Sequence, residues 1–139
     1  MRVTAPPLLT MACHCTGCQR MSASAYSLSM AIPAAAFKVI QGDTVIGGLH
    51  GEAQHNFCAW CMSWMFTRLP GMPFVNVRPT LMDDPSGFEP FIETYRAEAL
   101  AWAATTAVHS FDRFPPMDAC MGLIADYAKG QGREPSPFG

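Results

Sequence analysis

Cys13-His14-Cys15-Thr16-Gly17-Cys18 puts three thiols within six residues, and that density is the main chemical signal in the chain. In an extended segment, residues two apart point to the same side, so Cys13 and Cys15 share a face while His14 points away from them. The two-residue gap to Cys18 closes a tight turn, in which Gly17 is free to take a positive φ. Three sulfurs can then converge on one ion at the zinc–sulfur distance of about 2.3 Å, with the fourth tetrahedral position left open as in reactive zinc sites. An all-thiolate donor set favours zinc. The competing readings are a redox pair at Cys15 and Cys18, or buried thiols packing as small hydrophobes.

Cys58-Ala59-Trp60-Cys61 is a second, less specific pair. It reads as half of a four-sulfur zinc site, as a redox disulfide, or as the source of a fourth ligand for the first metal. Cys120 stands alone at helical spacing with Met117 and Ile124 and reads as core packing. Arg20, close to the first motif, is a candidate to balance the extra negative charge of three thiolates. Ser22 and Ser24 are candidate hydrogen-bonding groups, Trp60 a residue packed in the core or over a pocket, and His109 a candidate general base.

These residues have to be positioned by short elements, because Pro and Gly interrupt the sequence at close intervals. Residues 21–32 alternate, with Tyr26, Leu28, Met30 and Ile32 on one face and Ala25, Ser27 and Ser29 on the other. That period of two predicts a half-buried strand ended by Pro33. Residues 37–41 and 44–49 read as a hairpin about Gly42-Asp43. Residues 54–57 lead into the second cysteine pair, 64–68 lead out of it, and 74–78 and 91–95 are further strands. Helical spacing is confined to Met117, Cys120, Met121, Ile124 and Tyr127, between Pro115-Pro116 and Gly130. The expected fold is mainly β: one domain over residues 1–129, of twisted antiparallel sheets around the cysteine knuckles, with a short C-terminal helix and a flexible tail over 130–139.

Composition narrows the function. Of 139 residues 50% are hydrophobic and 14% charged, enough for a core without disulfide staples, and the net charge of −2 offers no basic face for nucleic acid. The scattered Lys and Arg give no membrane-binding run, and no apolar stretch approaches the ~20 residues of a membrane helix. A cytoplasmic location follows by default, where reduced thiols and metal binding are expected before disulfides.

The run from Cys13 through Gln19-Arg20-Met21-Ser22-Ala23-Ser24-Ala25 resembles the central signature of the glutathione-dependent formaldehyde-activating enzymes. Phe57-Cys58-Ala59-Trp60-Cys61-Met62-Ser63 is similar to that family's second cysteine motif, and weaker matches run from Pro7 to about Pro115. The resemblance implies a zinc-binding β fold with two metals: a reactive one at Cys13, Cys15 and Cys18, and a structural one to which Cys58 and Cys61 supply two of four sulfurs. It implies a carbon–sulfur lyase activity on an adduct of glutathione, or another small thiol, with formaldehyde or a related aldehyde. The three cysteines would act through the reactive zinc, and Arg20 would hold a glutathione carboxylate. The alternative is a non-catalytic zinc-binding module for a macromolecular partner. Two departures stand out: Met62 replaces the glycine that usually follows the second motif, and the family's opening Gly-x-Cys-x-Cys-Gly segment is not found in this sequence. The second departure leads to the expectation that Met1 is internal to the ancestral domain, with a sheet edge exposed for homodimer formation.

Overall fold

The apolar runs between the Pro and Gly breaks are too short to bury themselves and must pair edge to edge. In the computed structural model, which describes residues 1–131, they form ten strands: β1 (Arg2–Val3), β2 (Leu9–Cys13), β3 (Ser27–Pro33), β4 (Phe37–Lys38), β5 (Thr44–Gly47), β6 (Gln54–Cys58), β7 (Trp64–Arg68), β8 (Phe74–Val77), β9 (Ile92–Thr94) and β10 (His109–Ser110). Two α-helices, α1 (Thr16–Ser22) and α2 (Met117–Gly130), and three single-turn 3-10 helices complete the elements of the described residues. α2 runs through the expected domain boundary at 129, and the expected tail lies, from residue 132, outside the described residues.

Eight strands form one sheet in the order β10-β9-β2-β3-β8-β7-β6-β5, and β1 pairs with β4 in a separate ribbon. The neighbours are antiparallel except at β9, which is parallel to both β2 and β10. The chain returns to β9 through a long excursion after β8, so no tight turn forces it to reverse direction. The expected hairpin between 37–41 and 44–49 does not form. Gly42 does take the positive φ of a turn, but β4 is drawn to β1 and β5 to β6. Phe37 explains the departure: its ring is buried 4.7 Å from that of Phe66, in the layer between the ribbon and the sheet.

The expected strand over 21–32 is also corrected. Residues up to Ser22 belong to α1, which ends at Ala23 in a left-handed cap with φ 49°. In β3 Ser27 and Ser29 are buried along with Ala31 and Ile32, while Leu28 and Met30 are only half-buried. The reason is that β3 sits in mid-sheet and is covered on both faces. On one face Leu9, Ala31 and Ile92 pack beneath Leu123, Ile124 and Tyr127 of α2. On the other, Ile32, Val75 and Val77 pack with Phe37 and Phe66.

α2 is rotated from the face that its sequence suggests. Leu123, Ile124, Tyr127 and Ala128 are buried, whereas Met117 is 78% exposed and Met121 50%. Cys120 is half-buried, its thiol directed to the Pro116 carbonyl. Leu123→Ala should therefore lower the unfolding free energy by about 2–5 kcal/mol, and Met121→Ala by no more than about 0.5. Equal losses in urea denaturation would mean that the helix packs by the methionine stripe instead.

Candidate metal centre

The first cysteine motif is assembled by a change of element in mid-motif. Cys13 ends β2, paired with Ser27 on one side and Thr94 on the other. Cys15 is the N-cap of α1, and its sulfur accepts the Cys18 amide at 3.3 Å. Cys18 lies in the first helical turn, facing inward. The structure thus replaces the expected positive-φ turn with a helix start, and Gly17 is not among the residues with positive φ. A Cβ at Gly17 would instead collide with the imidazole of His50. The glycine serves close approach rather than backbone curvature.

The three sulfurs lie within 4.8 Å of one another and all three residues are buried. A tetrahedral zinc with bonds of about 2.3 Å has sulfur–sulfur edges of about 3.8 Å, so these ligands fit one ion with little movement. Among the described residues, this is the one such cluster of three or more cysteine, histidine or acidic side chains. The structure does not bring Cys58 or Cys61 into it. Cys58 ends β6, half-buried, and Cys61 is exposed in the turn beyond, its thiol lowered by the Ser63 hydroxyl at 3.3 Å. Met62, which follows, does adopt the left-handed conformation at φ 59°, despite having a Cβ. Trp60 neither packs in the core nor covers a pocket: it is 92% exposed.

His14 points away from the cluster, as the alternation requires. It is completely buried on the opposite face of the sheet, where its Nε2 meets Glu93 Oε2 at 2.9 Å. Glu93 also accepts from Thr105 at 2.9 Å and Ser110 at 2.8 Å, and pairs with Arg96 at 3.5 Å. A second clamp acts at the helix start: the Glu98 carboxylate accepts the Thr16 amide and hydroxyl at 2.7 and 2.9 Å. Negative charge is favoured there by the unpaired amides and the helix dipole. Gln19 closes the loop by donating to the His14 carbonyl at 2.6 Å.

Charge is balanced by a residue that sequence reading passes over. Arg20 is exposed on α1, roughly 200° around the helix from Cys18, and borders a shallow surface pocket with Leu100 and Trp102. The cation inside is Arg78. It lies over the Trp64 ring at 3.5 Å and donates to the Leu28 carbonyl at 2.7 Å. Burial lowers its pKa to about 10, while the charges of Cys18 and Cys13 oppose that shift, so it remains a guanidinium at neutral pH. A hydrogen bond from the Cys18 thiol holds Cys13 down at about 5 against desolvation. The same bond, together with burial, pushes Cys18 up, and burial pushes Cys15 up. The cluster alone therefore favours one thiolate and two thiols, and a dication must displace the remaining protons.

His50 and His55 were likewise not singled out by the sequence, because neither belongs to a spacing motif. They meet the cluster only through the β5–β6 connection, where His50 Nε2 lies 3.3 Å from the Cys15 sulfur. His109, the candidate base, instead packs edge-on to Phe91 at 5.0 Å. Ser22 donates its hydroxyl to the Cys18 carbonyl at 2.7 Å, a bond within α1, and Ser24 borders the Arg20 pocket.

Fold and site together define a mainly β protein with a buried three-thiol centre able to hold a metal ion. The family model described as glutathione-dependent formaldehyde-activating enzyme matches residues 1–98, and the chain belongs to that family. Comparison with curated proteins gives no match. No helix among the described residues is long and apolar enough to cross a membrane.

The Glu93 clamp makes the site sensitive to acid. Desolvation opposes the ionised carboxylate, but the bonds from Ser110, His14 and Thr105 and the charge of Arg96 outweigh it, so its pKa lies below the ordinary 4.5. A depressed carboxylate stabilises the fold above its unfolded pKa, and that contribution is lost as pH falls through the folded value. Glu93→Gln should cost about 2–3 kcal/mol at pH 7, and the gap to the parent should close as pH drops below the ordinary carboxylate range. A gap in unfolding free energy that stays constant from neutral to strongly acid pH would show that the carboxylate's charge is not what holds the clamp.

Proposed function

We propose that this chain is a zinc-dependent carbon–sulfur lyase acting on the adduct of glutathione, or another small thiol, with formaldehyde or a related aldehyde. The observation that carries the reading is the trio of buried sulfurs in a member of this family, with no fourth ligand atom among them. Zinc bound there would supply a Lewis-acidic position at which a small thiol is held as its more nucleophilic thiolate.

The chain's own residues account for the rest. Cys13, Cys15 and Cys18 would hold the ion. Three thiolates and a dication sum to one negative charge, which the buried Arg78 guanidinium offsets. Trp64, with Phe57, Met21 and Tyr95 around it, packs against the cysteines and limits the water that reaches them. In the forward direction the thiol sulfur bonds to the aldehyde carbon and the thiol proton ends on the oxygen, giving the hydroxymethyl thioether. Cleavage is the reverse. Protein catalysis then rests on proximity and orientation. Arg20, at the rim of its pocket, remains the proposed contact for a glutathione carboxylate. Cys58 and Cys61 remain proposed ligands of a separate, structural metal. A cytoplasmic setting suits free thiols and a glutathione substrate.

Cys15→Ser should reduce the metal held at this site from about one ion per chain to a trace. It should also abolish the accelerated exchange between free glutathione and its formaldehyde adduct, followed by NMR with labelled formaldehyde. Undiminished exchange in this variant would rule out the mechanism even with the family assignment intact. Parent protein that retains zinc but accelerates no exchange would favour the non-catalytic module.

A further inference from the structure

A chain of hydrogen bonds runs from the cysteine cluster into the sheet. His50 Nε2 lies 3.3 Å from Cys15 Sγ, His50 Nδ1 is 3.0 Å from His55 Nε2, and His55 Nδ1 is 2.8 Å from Thr67 Oγ1. The distances do not reveal which way the protons point, but the far end of the chain does. Thr67 Oγ1 also faces two groups that can only donate: Trp64 Nε1–H at 3.1 Å and Arg78 Nη2–H at 3.4 Å. A hydroxyl has two lone pairs and one proton. With both lone pairs occupied, the Thr67 O–H must donate to His55 Nδ1.

The remaining directions follow one another. Burial first, then the neighbouring His50 and Arg78, push the His55 pKa down to about 4, so its ring is neutral at pH 7. A neutral imidazole that accepts at Nδ1 carries its proton on Nε2. His55 therefore donates to His50 Nδ1, and a proton on that nitrogen would set two donors face to face. His50 thus presents Nε2–H, not a lone pair, to the sulfur of Cys15. The cluster of mutually close ligand atoms contains the three sulfurs and not His50. Two glycines give the rings their room: a Cβ at Gly17 would collide with His50, and one at Gly48 with His55.

We infer that His50 is a positioning residue that donates a hydrogen bond to the Cys15 thiolate, with its tautomer imposed from Thr67 through His55, and that it is not a fourth metal ligand. The inference rests on the reading of Cys13, Cys15 and Cys18 as a metal centre. Its consequence is chemical. A lone pair on His50 would close a Cys₃His site, the pattern of structural zinc, whereas an N–H leaves the fourth position to an incoming thiol. Together with the Cys18 amide, it also gives the Cys15 sulfur two donors.

The test uses the full chain with ¹⁵N-labelled histidine, loaded in turn with zinc and with ¹¹³Cd. Long-range ¹H–¹⁵N spectra should show both His50 and His55 as Nε2–H tautomers, and no ¹¹³Cd–¹⁵N coupling at His50. A His50 Nδ1–H tautomer, or cadmium coupling to its Nε2, would overturn the inference. Metal affinity, measured against a chromophoric chelator, gives a second readout. His50→Ala should weaken binding by about tenfold to a hundredfold, the range for outer hydrogen-bond partners of ligands. His50→Gln, which keeps an N–H donor but has no ring nitrogen, should recover most of that loss; a glutamine variant as weak as the alanine would count against the donor role. Failure of the metal reading itself would look different: the parent would bind no ion at the three cysteines, while the histidine tautomers would still be readable in the metal-free chain.

Discussion

Three sulfurs within 4.8 Å of one another and nearly out of contact with water repel each other as soon as more than one is ionised. The surroundings of the cluster can be understood as answers to that constraint. In the metal-free chain protons answer it, through a Cys18 thiol that donates to Cys13 and is itself held protonated. When a dication takes their place the balance passes to one net negative charge, and Arg78 is already buried there to meet it. A buried guanidinium is tolerable only with partners. The Trp64 ring, the Leu28 carbonyl and the Thr67 hydroxyl provide them.

The second constraint is positional, and the sheet meets it with one irregularity. The register between β6 and β7 advances from Asn56↔Phe66 to Phe57↔Trp64, so Met65 is the extra, bulged residue. Without a bulge, Trp64 and Thr67 would lie an odd number of residues apart and point to opposite faces. With it, the indole N–H reaches the Thr67 hydroxyl, and the ring comes to lie beneath Arg78 on the side of the cysteines. Behind the sheet, His14 anchors the cluster from the reverse side through Glu93. Its buried Nδ1, without a hydrogen-bond partner among the described residues, is the cost of placing an imidazole between two of the clustered cysteines.

What could be read from the sequence were the features set by local spacing. The Cys13–Cys18 convergence, the outward turn of His14, strands at 54–57, 64–68 and 74–78, and the final helix all follow from alternation, a two-residue gap or a run between breakers. What could not be read depends on partners distant in the chain. The burial of Ser27 and Ser29 reflects sheet neighbours and a covering helix, not their own polarity. Arg78 looks like any strand-end arginine until Trp64 is brought beneath it by the bulge. His50 and His55 acquire their role only when Gly17 and Gly48 let their rings approach.

The contrast between the two cysteine motifs shows that residue type alone does not determine chemistry. Cys58 and Cys61 share the two-residue spacing of Cys15 and Cys18, yet Cys61 stands in solvent with its thiol lowered by Ser63. Its ionised form is stabilised by the Ser63 hydroxyl, so a metal held there would not have to overcome burial. Cys15 and Cys18 are buried instead: the bond to Cys13 and then desolvation raise Cys18, desolvation raises Cys15, and both keep their protons until a cation replaces them. The spacing makes chelation geometrically possible in either motif. Burial and convergence make the first one the cluster able to hold an ion, and the hydrogen-bond polarity inferred from Thr67 would leave such an ion an open position.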